Sequence, residues 1–325
     1  MDRLKAGRFS FVSAGFTRLS PMNTFVLSCA VFALSLVTLA TASPVTTSAS
    51  AAIANSTSPS ITPRSGILSA LYGDLVLYTQ YSSATYQLIC PRPVGRTLIY
   101  QFPPLGTQGF IARDDARMEI VVAFRGTADL KDILTDVEFD LRPFVSPGIM
   151  EGSLVHHGFL DAYNNVAQDV VRYVTQQLVA HPGYRVILTG HSLGGAIAAI
   201  AAPSLKPVLG TVTVKLYTFG QPRVGDVNFV RSVETILGQE NIFRAVHTMD
   251  GVPTMVPTIF GYAHFASEYW QHEEPIPLQP PENTVRKCTG GEDLTCSAQF
   301  PSGGINAFHL FYFGQLMSLN PTLCF

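Results

Sequence analysis

The sequence predicts an α/β fold with a mostly parallel sheet covered by helices on both faces, and three observations predict it. From residue 97 onward, apolar strand-like runs alternate with helical runs, the order that right-handed crossovers between parallel strands produce. The stretch Gly190-His191-Ser192-Leu193-Gly194-Gly195 sits between a β-branched run (185–189) and an alanine-rich run (196–202), so a strand turns directly into a helix there. Finally, 325 residues with 47% hydrophobic and 14% charged side chains can bury a large core. That composition excludes a disordered chain, and the lack of a basic patch excludes nucleic acid as a partner.

Residues 1–42 stand apart from this domain. Arg3, Lys5, Arg8 and Arg18 precede an uncharged apolar run over 25–40, closed by Ala40-Thr41-Ala42, which reads as a secretory signal peptide with a small-residue cleavage site. The basic stretch is long for such a leader, so a start at Met22 and an uncleaved anchor are the alternatives. Without 1–42 the chain holds 17 Lys and Arg against 22 Asp and Glu, a formal charge of −5. Residues 43–65 are Ser, Thr, Ala and Pro with almost no large apolar side chain, a linker or propeptide that cannot repay the entropy of ordering. They include the glycosylation triplet Asn55-Ser56-Thr57. The folded domain is expected over 66–325. Cys29 falls in the leader and leaves Cys90, Cys288, Cys296 and Cys324, an even set that predicts two bridges on an extracellular route. The close spacing of Cys288 and Cys296 around Thr289-Gly290-Gly291 suits a small loop, which leaves Cys90 for Cys324. Four free thiols is the alternative reading.

Ile67, Leu68, Leu71, Leu75 and Val76 recur at helical spacing and predict a core-facing helix to about residue 81. Strands follow over 97–102, 109–113 and 119–124. The last stops at Arg125-Gly126-Thr127, which reads alone as an ordinary turn. Over 128–139, Leu130, Ile133, Leu134 and Val137 share one helical face, with acidic residues and Lys131 between them. This is a surface helix or, more sharply, a short helical lid over a site. Val155-His156-His157-Gly158-Phe159 leads into a helix over 161–181 striped by Val166, Val170, Val174 and Leu178. Beyond the Gly190–Gly195 turn come a strand over 214–219, the turn Gly220-Gln221-Pro222-Arg223, a helix over 227–237 and a strand over 242–247.

The G-x-S-x-G turn has the form of a nucleophile elbow, in which glycines admit a close backbone approach and the serine hydroxyl is lifted from the sheet. Ser192 is therefore the nucleophile candidate, and the Leu193 N–H is one donor for a developing oxyanion. The loop after an early strand supplies the second donor in such folds, here Thr127 through its N–H and hydroxyl. Partners follow in the order serine, acid, histidine. Asp250, just past the strand over 242–247, is the acid, while Asp226 reads as a helix cap. His309, before the apolar run Leu310-Phe311-Tyr312-Phe313, is the base, with His264 as the rival and His191 expected to point away from Ser192. No Cys/His/Asp cluster has metal-ligand spacing, and no glycine loop cradles phosphate.

Val122-Ala123-Phe124-Arg125-Gly126-Thr127, Val155-His156-His157-Gly158-Phe159, the elbow, Tyr217-Thr218-Phe219-Gly220-Gln221-Pro222-Arg223-Val224-Gly225, His247 to Pro253, and Tyr262-Ala263-His264 with Glu268-Tyr269-Trp270 together resemble the fungal class 3 lipases and the related type A feruloyl esterases. The resemblance runs from about residue 66 to 325. It implies an α/β-hydrolase fold, a triad matching Ser192, Asp250 and His309, an oxyanion hole matching Thr127 and Leu193, and a lid matching 128–139. The paired cysteines resemble the feruloyl esterase pattern. Those esterases carry phenol-binding tyrosines where this chain has Phe139 and Phe159, and the lipases carry a lid tryptophan where it has Ile133. Leu130, Ile133, Leu134, Phe139, Phe159 and Leu310 are the candidate substrate-binding side chains. The expectation is a secreted, extracellular, monomeric serine hydrolase of carboxylic esters, foremost a triacylglycerol lipase. It needs no cofactor or metal and meets a lipid–water interface transiently. A feruloyl or other small-ester esterase is the near alternative, and a catalytically silent binding protein the distant one.

Overall fold

The computed structural model describes residues 66–127, 140–147, 152–300 and 304–325. The expected leader, the linker and the stretch 128–139 lie outside the described residues. In chain order, the main elements are α1 (Ser69–Ala84), β1 (Thr97–Gln101), β2 (Gly109–Asp114), β3 (Glu119–Phe124), β4 (Leu141–Pro143), β5 (Leu154–His156), α2 (His157–Ala180), β6 (Arg185–His191) and α3 (Leu193–Leu209). They continue with β7 (Val214–Phe219), β8 (Gly225–Asp226), α4 (Val227–Leu237), β9 (Ile242–His247), β10 (Tyr262–Ala263), β11 (Glu268–Gln271), β12 (Val285–Lys287), β13 (Phe311–Tyr312) and β14 (Gln315–Leu316).

Eight strands form the central sheet in the order β1-β2-β3-β6-β7-β9-β11-β12. Its middle, from β3 to β11, is parallel, while β1, β2 and β12 pair antiparallel at the edges. Side chains alternate across each strand, so Ile120, Val122 and Phe124 face the layer of α2, α3 and α4, and Val121 and Ala123 face α1. Each fully buried aliphatic side chain contributes roughly 1.5–3 kcal/mol of transfer free energy. The mostly parallel sheet between helical layers expected from the alternating runs is the one observed, and so is the α/β-hydrolase fold that the resemblance implied.

Three differences from expectation have physical causes. The buried face of α1 is its C-terminal half, Leu75, Tyr78, Thr79 and Tyr81 to Ala84, while Leu68 is exposed. There the Tyr78 hydroxyl donates to the buried Glu119 carboxylate at 2.8 Å, so aromatic and hydroxyl side chains take core positions that an apolar stripe does not mark. Helix α2 starts at His157, four residues early, because the chain leaves β5 and turns into the helix without a loop. Helix α3 runs through Pro203 and Pro207 to Leu209, since continuous burial from Gly194 to Leu205 overrides the local cost of Pro203. A small antiparallel sheet, β10-β8-β5-β4, completes the rim. Two disulfides join Cys90 to Cys324 and Cys288 to Cys296, the pairing expected from spacing.

Candidate active site

Ser192 lies between β6 and α3 with φ 60° and ψ −127°, a conformation that L-residues rarely adopt. Backbone packing enforces it. A Cβ on Gly190 would sit 2.3 Å from the Gly194 carbonyl carbon, and one on Gly194 would sit 2.2 Å from the Phe124 carbonyl oxygen. The Ser192 N–H donates to the Phe219 carbonyl at 2.8 Å, which ties the elbow to β7.

Three side chains distant in sequence meet at the carboxyl edge of the sheet. Ser192 Oγ lies 2.8 Å from His309 Nε2, and His309 Nδ1 lies 2.9 Å from Asp250 Oδ2. All three residues are buried. A carboxylate only accepts, so Nδ1 carries the hydrogen and the Nε2 lone pair faces the serine hydroxyl. Asp250 is itself held, because Oδ1 accepts from the Val252 N–H at 2.9 Å and Oδ2 accepts from the buried Tyr312 hydroxyl. The turn residue Gly220 lies beneath the pair, where a Cβ would come 2.7 Å from Asp250 Oδ2 and 2.9 Å from the His309 ring. Its φ of +59° favours glycine for a second reason.

The two histidine alternatives have other partners. His264 Nε2 donates to the Pro253 carbonyl at 2.8 Å, and burial, with Arg244 and Arg223 nearby, holds its pKa well below the ordinary histidine value. His191 turns away from Ser192, yet it backs His309. Its Nε2 donates to the His309 carbonyl at 2.7 Å, the Tyr86 hydroxyl donates to its Nδ1 at 2.7 Å, and the His191 and His309 ring centroids are 4.4 Å apart. Burial first, then the neighbouring His309, holds the His191 pKa well below the ordinary histidine value. Asp226 caps α4, accepting from the Phe229 N–H at 2.8 Å.

Thr127 and Leu193 both border a cavity of about 490 Å³ with Arg125, Asp161 and Ile197. Thr127 also borders a second, largely apolar cavity of about 550 Å³, lined by Tyr86, Leu88, Ile305, His309, Leu310 and Leu319. Gly126 brings this loop against the elbow, since a Cβ there would lie 2.8 Å from the His191 carbonyl oxygen. Leu310 is half exposed at the mouth. Phe159 is fully buried, stacked on His156 at 4.1 Å and packed into the core, and it lines neither cavity. Leu130, Ile133, Leu134 and Phe139 lie outside the described residues. Glu268, Cys288 and Cys296 approach within 4.8 Å of one another, but the two sulfurs are bonded to each other and offer no thiolate to a metal. Tyr312, Gly220 and Tyr86 were not singled out from sequence. For Gly220 the turn itself was the signal, whereas the two tyrosines carried none.

The chain matches the family model "Lipase (class 3)" over residues 121–260. It is 33% identical over 216 residues to secreted mono- and diacylglycerol lipase 1 of Fusarium solani, covering 66% of this chain and 62% of that protein. It is 37% identical over 232 residues to a lipase of Rhizomucor miehei, covering 70% of this chain and 58% of that protein. The chain thus spans less than two thirds of the length of these relatives. Among solved structures, the lipase of Rhizopus microsporus var. chinensis superposes with a TM-score of 0.68 at 35% identity, over 77% of this chain and 90% of that one.

Proposed function

Because this chain belongs to the class 3 lipase family, we propose that it is a secreted serine esterase that hydrolyses acylglycerols, foremost triacylglycerols. The observation that carries this reading is the unbroken relay from Ser192 Oγ through His309 to Asp250, at 2.8 and 2.9 Å. Ser192 attacks the ester carbonyl carbon while His309 Nε2 takes the hydroxyl proton. Asp250 holds the useful tautomer and stabilises the imidazolium that forms. The N–H groups of Thr127 and Leu193 receive the oxyanion, a contribution of roughly 3–4 kcal/mol per donor in such sites. The imidazolium then protonates the leaving alcohol, and water repeats the sequence to free the acid.

The apolar cavity beside His309, with Leu88, Ile305, Leu310 and Leu319 exposed around it, suits an aliphatic substrate delivered from a lipid–water interface. Residues 1–42 serve as the export signal and 43–65 as a linker or propeptide before the hydrolase domain, and the enzyme acts as a monomer. Among the described residues no helix is long and apolar enough to cross a membrane.

The test is a substrate panel of tri-, di- and monoacylglycerols against methyl ferulate, with Ser192→Ala beside it. Acylglycerol turnover should exceed ferulate turnover, and Ser192→Ala should lower kcat by roughly a million-fold without lowering Tm. A Ser192→Ala protein that keeps near-wild-type turnover sinks the mechanism. A preference for ferulate leaves the triad standing and replaces the substrate.

A further inference from the structure

His247 is the last residue of β9, three before Asp250, and its side chain is 3% exposed. Its Nδ1 lies 3.0 Å from the Phe308 carbonyl oxygen and its Nε2 lies 2.6 Å from Glu274 Oε1. A carbonyl and a carboxylate are acceptors only. The ring is thus tied at both nitrogens, to the Phe308 carbonyl through Nδ1 and to Glu274 through Nε2. His191 differs, because its Nδ1 faces the Tyr86 hydroxyl, which can donate to it.

We propose that His247, paired with Glu274, is a positioning residue that fixes the catalytic base by holding the carbonyl of Phe308. The proposal rests on the reading of His309 as that base. The consecutive carbonyls of Phe308 and His309 are gripped by His247 and His191, rings rooted in β9 and β6. Asn306 adds a third tie, its Nδ2 donating to the Met249 carbonyl at 2.7 Å beside the acid. A short turn held at two successive carbonyls cannot rotate the peptide between them, and this aims His309 Nε2 at Ser192. Glu274, more than half exposed, holds the other ring nitrogen at 2.6 Å and so fixes the ring's orientation toward the Phe308 carbonyl.

The experiment compares His247→Leu, His247→Asn and Glu274→Gln in the full-length protein. Active sites are counted by phosphonate labelling carried to completion, and kcat and KM on p-nitrophenyl butyrate are expressed per labelled site. His247→Leu should lower kcat by about ten- to a hundredfold, the scale of an ångström-sized misplacement, with KM within about twofold. Asn places an amide donor near the former Nδ1 and should restore most of the loss, and Glu274→Gln should fall between. A purely structural role would reduce labelled sites or Tm and leave kcat per site unchanged, which overturns the proposal. Equal losses in Leu and Asn overturn it too, because the donor would then be irrelevant. Ser192→Ala and His309→Ala separate the two failures. Activity persisting in them removes the triad and this proposal with it, whereas their inactivity beside an unchanged His247→Leu removes this proposal alone.

Discussion

At Ser192 the site is positioned by backbone packed on backbone. At Asp250 and His309 it is positioned mainly by hydrogen bonds, from side chains and from one backbone N–H. β3, β6 and α3 meet at glycines whose missing Cβ atoms leave no spare space. Residues 247–312 instead contain short strands and 3₁₀ turns, and their order comes from polar ties. The Tyr312 hydroxyl and Val252 N–H hold Asp250. Arg223 clasps Glu292 at 2.7 Å and the Val256 carbonyl at 2.7 Å. The difference teaches that the first region should fail abruptly under substitution and the second by degrees.

The largest effect should come from breaking the first region. Gly190→Ala places a methyl 2.3 Å from backbone atoms that cannot move aside, so a loss above about 4 kcal/mol is expected, seen as little soluble protein and a collapsed thermal transition. A folded, active Gly190→Ala protein would end the contrast. Next come the covalent ties of the second region. Cys90–Cys324 closes a separation of 234 residues and Cys288–Cys296 one of 8. Chain-entropy arithmetic assigns them about 5.5 and about 2.5 kcal/mol. Replacing each pair by serine and comparing Tm should reproduce that order. The reverse order would mean that the small loop's grip on Arg223 and Arg244 outweighs loop closure.

Acid should produce the most gradual effect, spread over several histidines and more than two pH units. Burial first, then the neighbouring His157, lowers the pKa of His156 to about 4, and His191 and His264 are also depressed by burial. The unfolded chain therefore binds protons that the folded one refuses, so this stability is complete above about pH 6.5 and is lost as pH falls from there toward 4. His156 alone accounts for up to about 3 kcal/mol. Melting at pH 7 and pH 4.5 should show the drop, and His156→Phe should shrink it. An equal drop in both proteins would acquit His156.

How much of this was legible follows from the same contrast. β7, α4 and β9 coincide with the runs 214–219, 227–237 and 242–247, because buried strands and amphipathic helices print their period in the chain. The G-x-S-x-G turn prints equally well, since only glycine admits that approach. The four-stranded rim sheet does not, because strands of two or three residues carry no period. Nor do the ties of His191 and His247, because a lone histidine looks the same in sequence whether it supports a carbonyl, caps a turn or fills a core.

The route of the chain through these regions bears on its biosynthesis. Ser192 belongs to a β-α unit formed from local sequence, whereas the proton acceptor of the relay arrives with residues 306–310 and is sealed by a bridge that uses Cys324. Until residues 306–310 are made and fold back, Ser192 lacks its His309 partner and remains an unactivated alcohol. The hydroxyl would thus lie dormant through most of synthesis, armed only when a late segment returns to a turn made more than a hundred residues before it.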